Sequence, residues 1–348
     1  MKIALITYHS ADNYGATLQA YATYKILEDL GNDVEIIDLR IDQPNPFLKK
    51  ILLFKKHLQF NSFRKKYFKK ITQKYLDLSD LRKNPPVADA YIVGSDQVWN
   101  TDISGKLAEA YFLDFGDKNI KRIAYASSFG KGEWESKNNL STEKIKVLLK
   151  RFSNIGVREK SGVELCASVF NIEATQVLDP VLLHHNYEEL TGEIKSFQNN
   201  ILLYKIVNDP RFYNKAQEVG DKLNLPLRSV GSIRRLKNIK CSYPEKLPDW
   251  IISIASSSYI LTDSFHGTVL SLLYKKNFIV YVGDPKLVTR IRSLLCLVGL
   301  EDRICSYSDD IEKVTDLLQK KIDYKKVTAI LEDLRNESIS FIKNSLSK

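Results

Sequence analysis

KIALITYHSADNYGATLQAYATYKILEDLGNDVEIIDL, residues 2 to 39, sets the fold. KIALITY is a short apolar run that reads as a strand. Thr17 to Leu30 has helical periodicity and stops at Gly31, the place where a left-handed residue ends a helix. DVEIIDL is the next strand. A strand, a helix and a second strand at this spacing form a βαβ unit, which implies a parallel sheet with helices on its faces. Further buried strands follow: AYIVG from Ala90, RIAYASS from Arg122, NIGV before Arg158 and TQVL before Asp179. The polar stretch from about His184 to Asn199 reads as a linker. The alternation then restarts with ILLYKIV, PLRSVG, YILT and FIVYVG, separated by helical stretches at 211–223, 247–257, 269–274 and 286–298. The expected class is α/β, with two Rossmann-like domains at 1–184 and 200–308 and two C-terminal helices at 309–348.

The length of 348 residues suits two domains. Four cysteines lie far apart with no CxxC, which argues against a zinc site or a disulfide framework and predicts no metal centre. MKIALITYHS lacks the length and cleavage site of a secretion signal, and no window reaches a membrane span, so a cytoplasmic location is expected.

The formal charge of +10 has one source. FLKKILLFKKHLQFNSFRKKYFKKITQKYL, residues 47–76, holds ten Lys and Arg and no acid; the rest of the chain balances at 42 basic against 42 acidic residues. Apolar residues at Phe47, Ile51, Phe54 and Leu58, then Phe60, Phe63, Tyr67, Ile71 and Tyr75, predict a basic amphipathic helix pair inserted in the first domain. Such a pair fits an anionic membrane surface, or packs on its own domain. Nucleic acid is not expected, because no finger, helix-turn-helix or RNP pattern accompanies the charge.

Ligands of doubly wound sheets bind beyond the carboxyl ends of the strands. In this chain those ends carry HSADNYGA (9–16), SDQVWN (95–100), SSFG (127–130), REKSG (158–162), DP (179–180) and DSFHGT (263–268). Neither GxGxxG nor GxxxxGK[ST] occurs, so no nucleotide cofactor is expected through those loops. Trp99, flanked by Asp96, Gln97 and Asn100, fits a sugar platform; core packing is the alternative. Arg158 fits a bidentate clamp for carboxylate or phosphate, or a salt bridge to Glu159 or another acid. Arg290 and Arg292 are further anion candidates. His266, between a strand and a helix expected to start near Thr268, is the candidate acid–base group. Gly267 would let backbone approach a ligand there, and the helix start would offer N–H groups to an anion. An anion so bound would favour protonated His266.

NYGATLQAYAT (13–23), YIVGSDQVWN (91–100), YFLDF with RIAYASSFG (111–130), VREKSG (157–162), VLDPVLL (177–183) and LTDSFHGTVLS (261–271) together resemble the polysaccharide pyruvyl transferase family. The resemblance runs over roughly residues 1 to 305. It implies a GT-B-like fold, two Rossmann-like domains facing across a cleft. It also implies a reaction in which phosphoenolpyruvate, a co-substrate rather than a cofactor, gives a pyruvate ketal on a sugar of a polysaccharide or its lipid-linked precursor. Arg158 and His266 match residues that contact the donor in that family. Members often carry Arg-X-His where this chain has Ser264-Phe265-His266, and Arg290 or Arg292 would then replace the charge. Taken with the reading of the residues, the expected catalytic set is His266, Arg158 and Asp96, with Glu159 an alternative base. The expected donor site is Arg158, Ser264, His266, Gly267, Thr268, Arg290 and Arg292, and the expected acceptor site is Asn13, Tyr14, Ser95, Asp96, Gln97, Trp99, Asn100 and Ser128. Residues 47–76 would hold the enzyme on the inner face of the membrane. The rival readings are a GT-B glycosyltransferase using a nucleotide sugar and a non-enzymatic scaffold that binds polyanions or membranes.

Overall fold

The computed structural model describes residues 1–40, 50–135, 141–207, 209–231, 239–283 and 288–347, without the side chains of 50–53. Two wholly parallel sheets organise them. The first holds β1 (Lys2–Ile6), β2 (Asp33–Leu39), β3 (Ile71–Tyr75), β4 (Ala90–Val93), β5 (Lys121–Ser127), β6 (Asn154–Val157) and β7 (Thr175–Gln176), in the order β3-β2-β1-β4-β5-β6-β7. The second holds β8 (Gln198–Tyr204), β9 (Leu227–Val230), β10 (Ile239–Ser242), β11 (Ser257–Thr262), β12 (Asn277–Val282) and β13 (Ile304–Ser306), in the order β10-β9-β8-β11-β12-β13. Counted from its own first strand, the second sheet runs 3-2-1-4-5-6, the order of a dinucleotide-binding fold, and the first runs the same way with a seventh strand added beside β6. The central strands are continuous apolar runs because both faces are covered. Ile3 to Ile6, Ala90 to Val93 and Ile260 to Thr262 are buried without a break.

By its contacts the chain forms two units, Met1–Lys50 with Asn61–His184 and Glu332–Lys348, and Ile51–Phe60 with His185–Leu331. The C-terminal helices are therefore not a separate part. Helix Ile311–Gln319 contributes Val314 and Leu318 to the core of the second sheet. The far half of helix Tyr324–Leu346 belongs with the first unit: Ser338 Oγ accepts the Leu178 N–H at 2.9 Å and Arg335 Nε donates to the Leu182 carbonyl at 2.8 Å. The expected linker also carries structure, a short helix Glu188–Thr191 with Tyr187 and Leu190 buried.

The basic segment differs from the expected helix pair. Phe47 lies outside the described residues. One helix, Lys50–Tyr67, is followed by β3, which pairs with β2 in parallel through Ile36↔Ile71 and Leu39↔Tyr75. Phe63 and Tyr67 set their rings against Tyr21 at 5.8 and 5.7 Å, and Phe68 lies 5.9 Å from Tyr24. Arg64 is spent inside the fold, donating to Asp12 Oδ1 at 2.9 Å and to the Ser10 carbonyl at 3.2 Å.

The YFLDF and RIAYASS stretches owe their partnership to Arg122. This buried guanidinium donates to the carbonyls of Leu113, Phe115, Asp117, Lys118 and Ile120 at 2.7 to 3.4 Å. Five carbonyls of one loop are satisfied by one side chain. Replacing Arg122 with Met keeps the volume and strands those acceptors. Urea unfolding is expected to lose at least about 3 kcal/mol; a loss below about 1 kcal/mol would show that the loop does not rest on Arg122.

Candidate functional site

The strand order of each sheet reverses at one place, between β1 and β4 in the first and between β8 and β11 in the second. Chains leaving those neighbouring strands part to opposite faces and leave a crevice at their carboxyl ends. SDQVWN and DSFHGT follow β4 and β11, so each sits at the reversal of its own sheet.

In the first unit, Thr7 beyond β1 donates through Oγ1 to the Ser95 carbonyl beyond β4 at 3.0 Å, and Tyr8 Oη donates to the Gln97 carbonyl at 3.2 Å. Asp96 takes a left-handed conformation, φ 75°, which costs a non-glycine residue about 1 kcal/mol or more. It is held there by a bridge to Ser127, by Ser128 N–H donating to its carbonyl at 3.0 Å, and by the Gln97 N–H on its own Oδ1 at 2.9 Å. Beneath it lies the Arg158 guanidinium, 3.1 Å from Asp179, 3.7 Å from Asp96 and 3.8 Å from Glu159. Ser95 Oγ donates to Asp179 Oδ2 at 3.2 Å, and Ser128 Oγ donates to Glu159 Oε1 at 2.8 Å. Burial alone would lower the Arg158 pKa, but the three carboxylates outweigh it and raise the pKa above its ordinary value.

The structure places Arg158 in the salt-bridge arrangement, its side chain buried among the protein's own acids. It also separates the two candidate bases. The Asp96 side chain keeps 16% exposure, whereas Glu159 keeps 1% and accepts the Phe129 N–H as well as Ser128.

The expected acceptor set is brought together only in part. Trp99 is no platform: it is fully buried, stacked on Phe112 with centroids 5.4 Å apart, and its Nε1 donates to the Tyr111 carbonyl at 2.9 Å. Asn13 caps helix Tyr14–Asp29 through the Ala16 N–H, Tyr14 is buried, and Asn100 caps helix Thr101–Ser104. Ser95 and Ser128 are buried in the network around Arg158. Asp96 and the half-buried Gln97 remain at the surface of the cluster.

A second cluster at the same sheet edge escaped the sequence reading. His9 Nε2 lies 3.1 Å from Asp38 Oδ1, and Arg40 donates to both oxygens of that carboxylate at 2.9 and 2.8 Å. His9 follows β1 and Asp38 lies near the end of β2, so the signal was a His and an Asp at adjacent strand ends. Burial would raise the Asp38 pKa; the hydrogen bonds from His9 and Arg40 outweigh it and pull the pKa far below 3.8.

In the second unit, the loops beyond β8 and β11 are stitched together. Asp263 accepts the Ile206 and Val207 N–H groups at 2.6 and 3.0 Å, and Thr262 Oγ1 donates to the Tyr204 carbonyl at 2.7 Å. The following helix begins at Phe265, three residues earlier than expected, because Ser264 caps it by accepting the Gly267 N–H at 3.3 Å. His266 thus lies in the first turn, mostly buried, with its ring 5.3 Å from that of Phe265. The Arg290 guanidinium lies 5.9 Å from the Phe265 ring. Arg292, two residues further along its helix, is exposed and does not join this group.

Gly267 and Thr268 each have a structural task. A Cβ on Gly267 would lie 2.4 Å from Thr262 Oγ1 and 3.0 Å from Tyr204, so the absent side chain lets the helix close on the strands. Thr268 Oγ1 is committed to the Ser264 carbonyl at 3.0 Å. Among the described residues, no group of three or more His, Cys, Asp or Glu is arranged to hold a metal ion.

Two parallel sheets of this order, each with a polar cluster at its reversal, define the GT-B class of two-domain α/β proteins. Solved structures of similar fold include UDP-GlcNAc 2-epimerase from Methanocaldococcus jannaschii, with 14% identity and a TM-score of 0.54 over 97% of this chain and 100% of that one. The Neisseria meningitidis UDP-GlcNAc 2-epimerase gives 12%, 0.58 and 99% of both chains, and Arabidopsis thaliana UGT89C1 gives 8%, 0.54, 99% and 97%. No curated protein matches the chain. The model of the polysaccharide pyruvyl transferase family matches residues 13–285, and the chain belongs to that family.

The Asp38 pKa predicts an acid limb in stability. A carboxylate with a depressed folded pKa adds stability above its unfolded value, about 3.8, and loses it as pH falls through the folded value. Asp38→Asn is expected to flatten the fall of unfolding free energy below about pH 4, measured by urea titrations at stepped pH. Equal acid slopes in the two proteins would remove Asp38 from that role.

Proposed function

We propose that this protein is a polysaccharide pyruvyl transferase that uses phosphoenolpyruvate to place a pyruvate ketal on a sugar of a polysaccharide or of its lipid-linked precursor. Family membership supports the reaction class. The observation that carries the reading is that each unit has a candidate proton-transfer group at the reversal point of its own sheet, Asp96 in the first and His266 in the second.

The reaction joins C2 of the donor to two sugar oxygens. The enol methylene gains a proton, the C2–O bond to phosphate breaks, and the two hydroxyls surrender their protons, one to the methyl group formed and one to phosphate. His266 is the proton donor to the methylene carbon or the departing phosphate. Asp96, held by Arg158, accepts the proton of the attacking hydroxyl. Arg290 and the capped start of helix Phe265–Leu273 supply positive potential for the donor's carboxylate and phosphate.

Acid–base assistance of this kind is worth about 10²–10⁴-fold. His266→Ala and Asp96→Asn are each expected to lower phosphate release from phosphoenolpyruvate by that factor, with unchanged far-UV dichroism. Arg158→Lys is expected to lower kcat more than it raises the donor KM. Near-normal turnover in His266→Ala would sink the assignment, and release of a nucleotide from a nucleotide sugar would replace the reaction with glycosyl transfer.

The basic helix supports a peripheral membrane reading. Phe54 is 60% and Leu58 49% exposed, four residues apart on one face, with exposed Lys55, Lys65, Lys66 and Lys69 on the same segment. No helix among the described residues is long and apolar enough to cross a membrane. We propose that this face lies on anionic lipid, where a lipid-linked acceptor would be presented. Wild type is expected to sediment with phosphatidylglycerol vesicles at low salt, and Phe54→Ser with Leu58→Ser to remain in the supernatant. Equal sedimentation of both proteins would refute the contact.

A further inference from the structure

The second unit holds a cavity of about 460 Å³ at the amino edge of its sheet, opposite to the edge that carries DSFHGT. It opens where the chain enters β8, β11 and β12. Phe197 and Lys276, which line it, each immediately precede a strand, and Ala255 lies just ahead of a third. Tyr187, Tyr274 and Ile194 complete apolar walls, and the volume falls within the range of small-molecule sites.

Lys276 makes this cavity unusual. It is only 9% exposed, yet its ammonium has no hydrogen bond or ion pair among the described residues. Its ammonium lies over the Phe197 ring, 5.1 Å from Nζ to the centroid. Glu188 lines the same cavity and forms no ion pair with it. Desolvation lowers the Lys276 pKa and no acid offsets it. Lysines as little exposed as this one are ordinarily paired. An anion in the cavity would supply the partner that Lys276 lacks among the described residues. Phe197 is 76% exposed at the mouth, a large aromatic face turned to solvent beside the cation.

We propose that this cavity is a second ligand site, taking a small anion with a flat apolar body, its acidic group on Lys276 and its body between Phe197 and the two tyrosines. The site lies away from the edge used by His266 and does not depend on the transfer reaction proposed above.

The test is a fluorescence titration of the purified full chain with 1-anilinonaphthalene-8-sulfonate, against the uncharged N-phenyl-1-naphthylamine. Wild type is expected to bind the sulfonate saturably at one site. Lys276→Met should weaken the sulfonate tenfold or more, as loss of a charge-assisted hydrogen bond does, and leave the neutral probe within about twofold; Lys276→Arg should retain both. Phe197→Ala, a change at an exposed side chain that folding does not need, should weaken both probes. Absence of saturable binding to wild type, equal sulfonate affinity in Lys276→Met, equal loss of both probes in that variant, or unchanged affinity in Phe197→Ala would each overturn the proposal.

Discussion

The Arg158 guanidinium holds the first unit's site together. A charged group taken out of water is tolerated only when paired and hydrogen-bonded, and removing one partner of such a pair costs about 3–5 kcal/mol. Arg158 meets that demand with partners from separate stretches of chain: Asp96 and Ser95 from the loop after β4, Glu159 from its own loop, and Asp179 from the loop after β7. Ser128, after β5, enters through Glu159. The carboxyl ends of β4, β5, β6 and β7 are thus tied to one charge. Asp96 gains most from this. Its left-handed backbone is unfavourable alone, and the network fixes it with a carboxylate that still reaches the surface.

The second unit solves the same problem without a buried cation. Its reversal is bridged by Asp263 and Thr262, which bind backbone groups beyond β8 and at its end. Gly267 then lets the following helix sit directly on Thr262 and Tyr204. His266 is carried on the first turn of a helix whose start is fixed by the Ser264 cap and whose underside is fixed by the strands. In both units, the candidate proton-transfer group stands on a segment held by backbone-directed bonds rather than on a loose loop.

Much of this was legible in the sequence for one physical reason. Strands buried on both faces write themselves as unbroken apolar runs, and the polar clusters that follow mark their carboxyl ends. What failed to show was anything decided by distant partners. Trp99 beside Asp96 and Asn100 looks like a sugar platform until Phe112, Phe129 and Phe152 surround it. The partner that ties Arg158 down, Asp179, comes from 21 residues away. His9 and Asp38 gain meaning only when β1 and β2 lie side by side. Ile71 and Tyr75 misled for a different reason: residues four apart share a face in a helix and in a strand alike. Parallel pairing with β2 settled the choice.

Ser264 shows how a departure from the family pattern can be read physically. The resemblance puts an arginine at that position, two residues before the histidine. Here the serine hydroxyl accepts the Gly267 N–H and so starts the helix at Phe265. An arginine has no acceptor with which to cap a helix, and its charge would oppose the positive end of the helix dipole. The cap and the cation are thus competing uses of one position. This chain takes the cap there, and the arginine beside the motif is instead Arg290, which comes from a different helix and lies against the Phe265 ring. Separating the two tasks keeps His266 on a turn capped by Ser264 and puts the charge on a different helix.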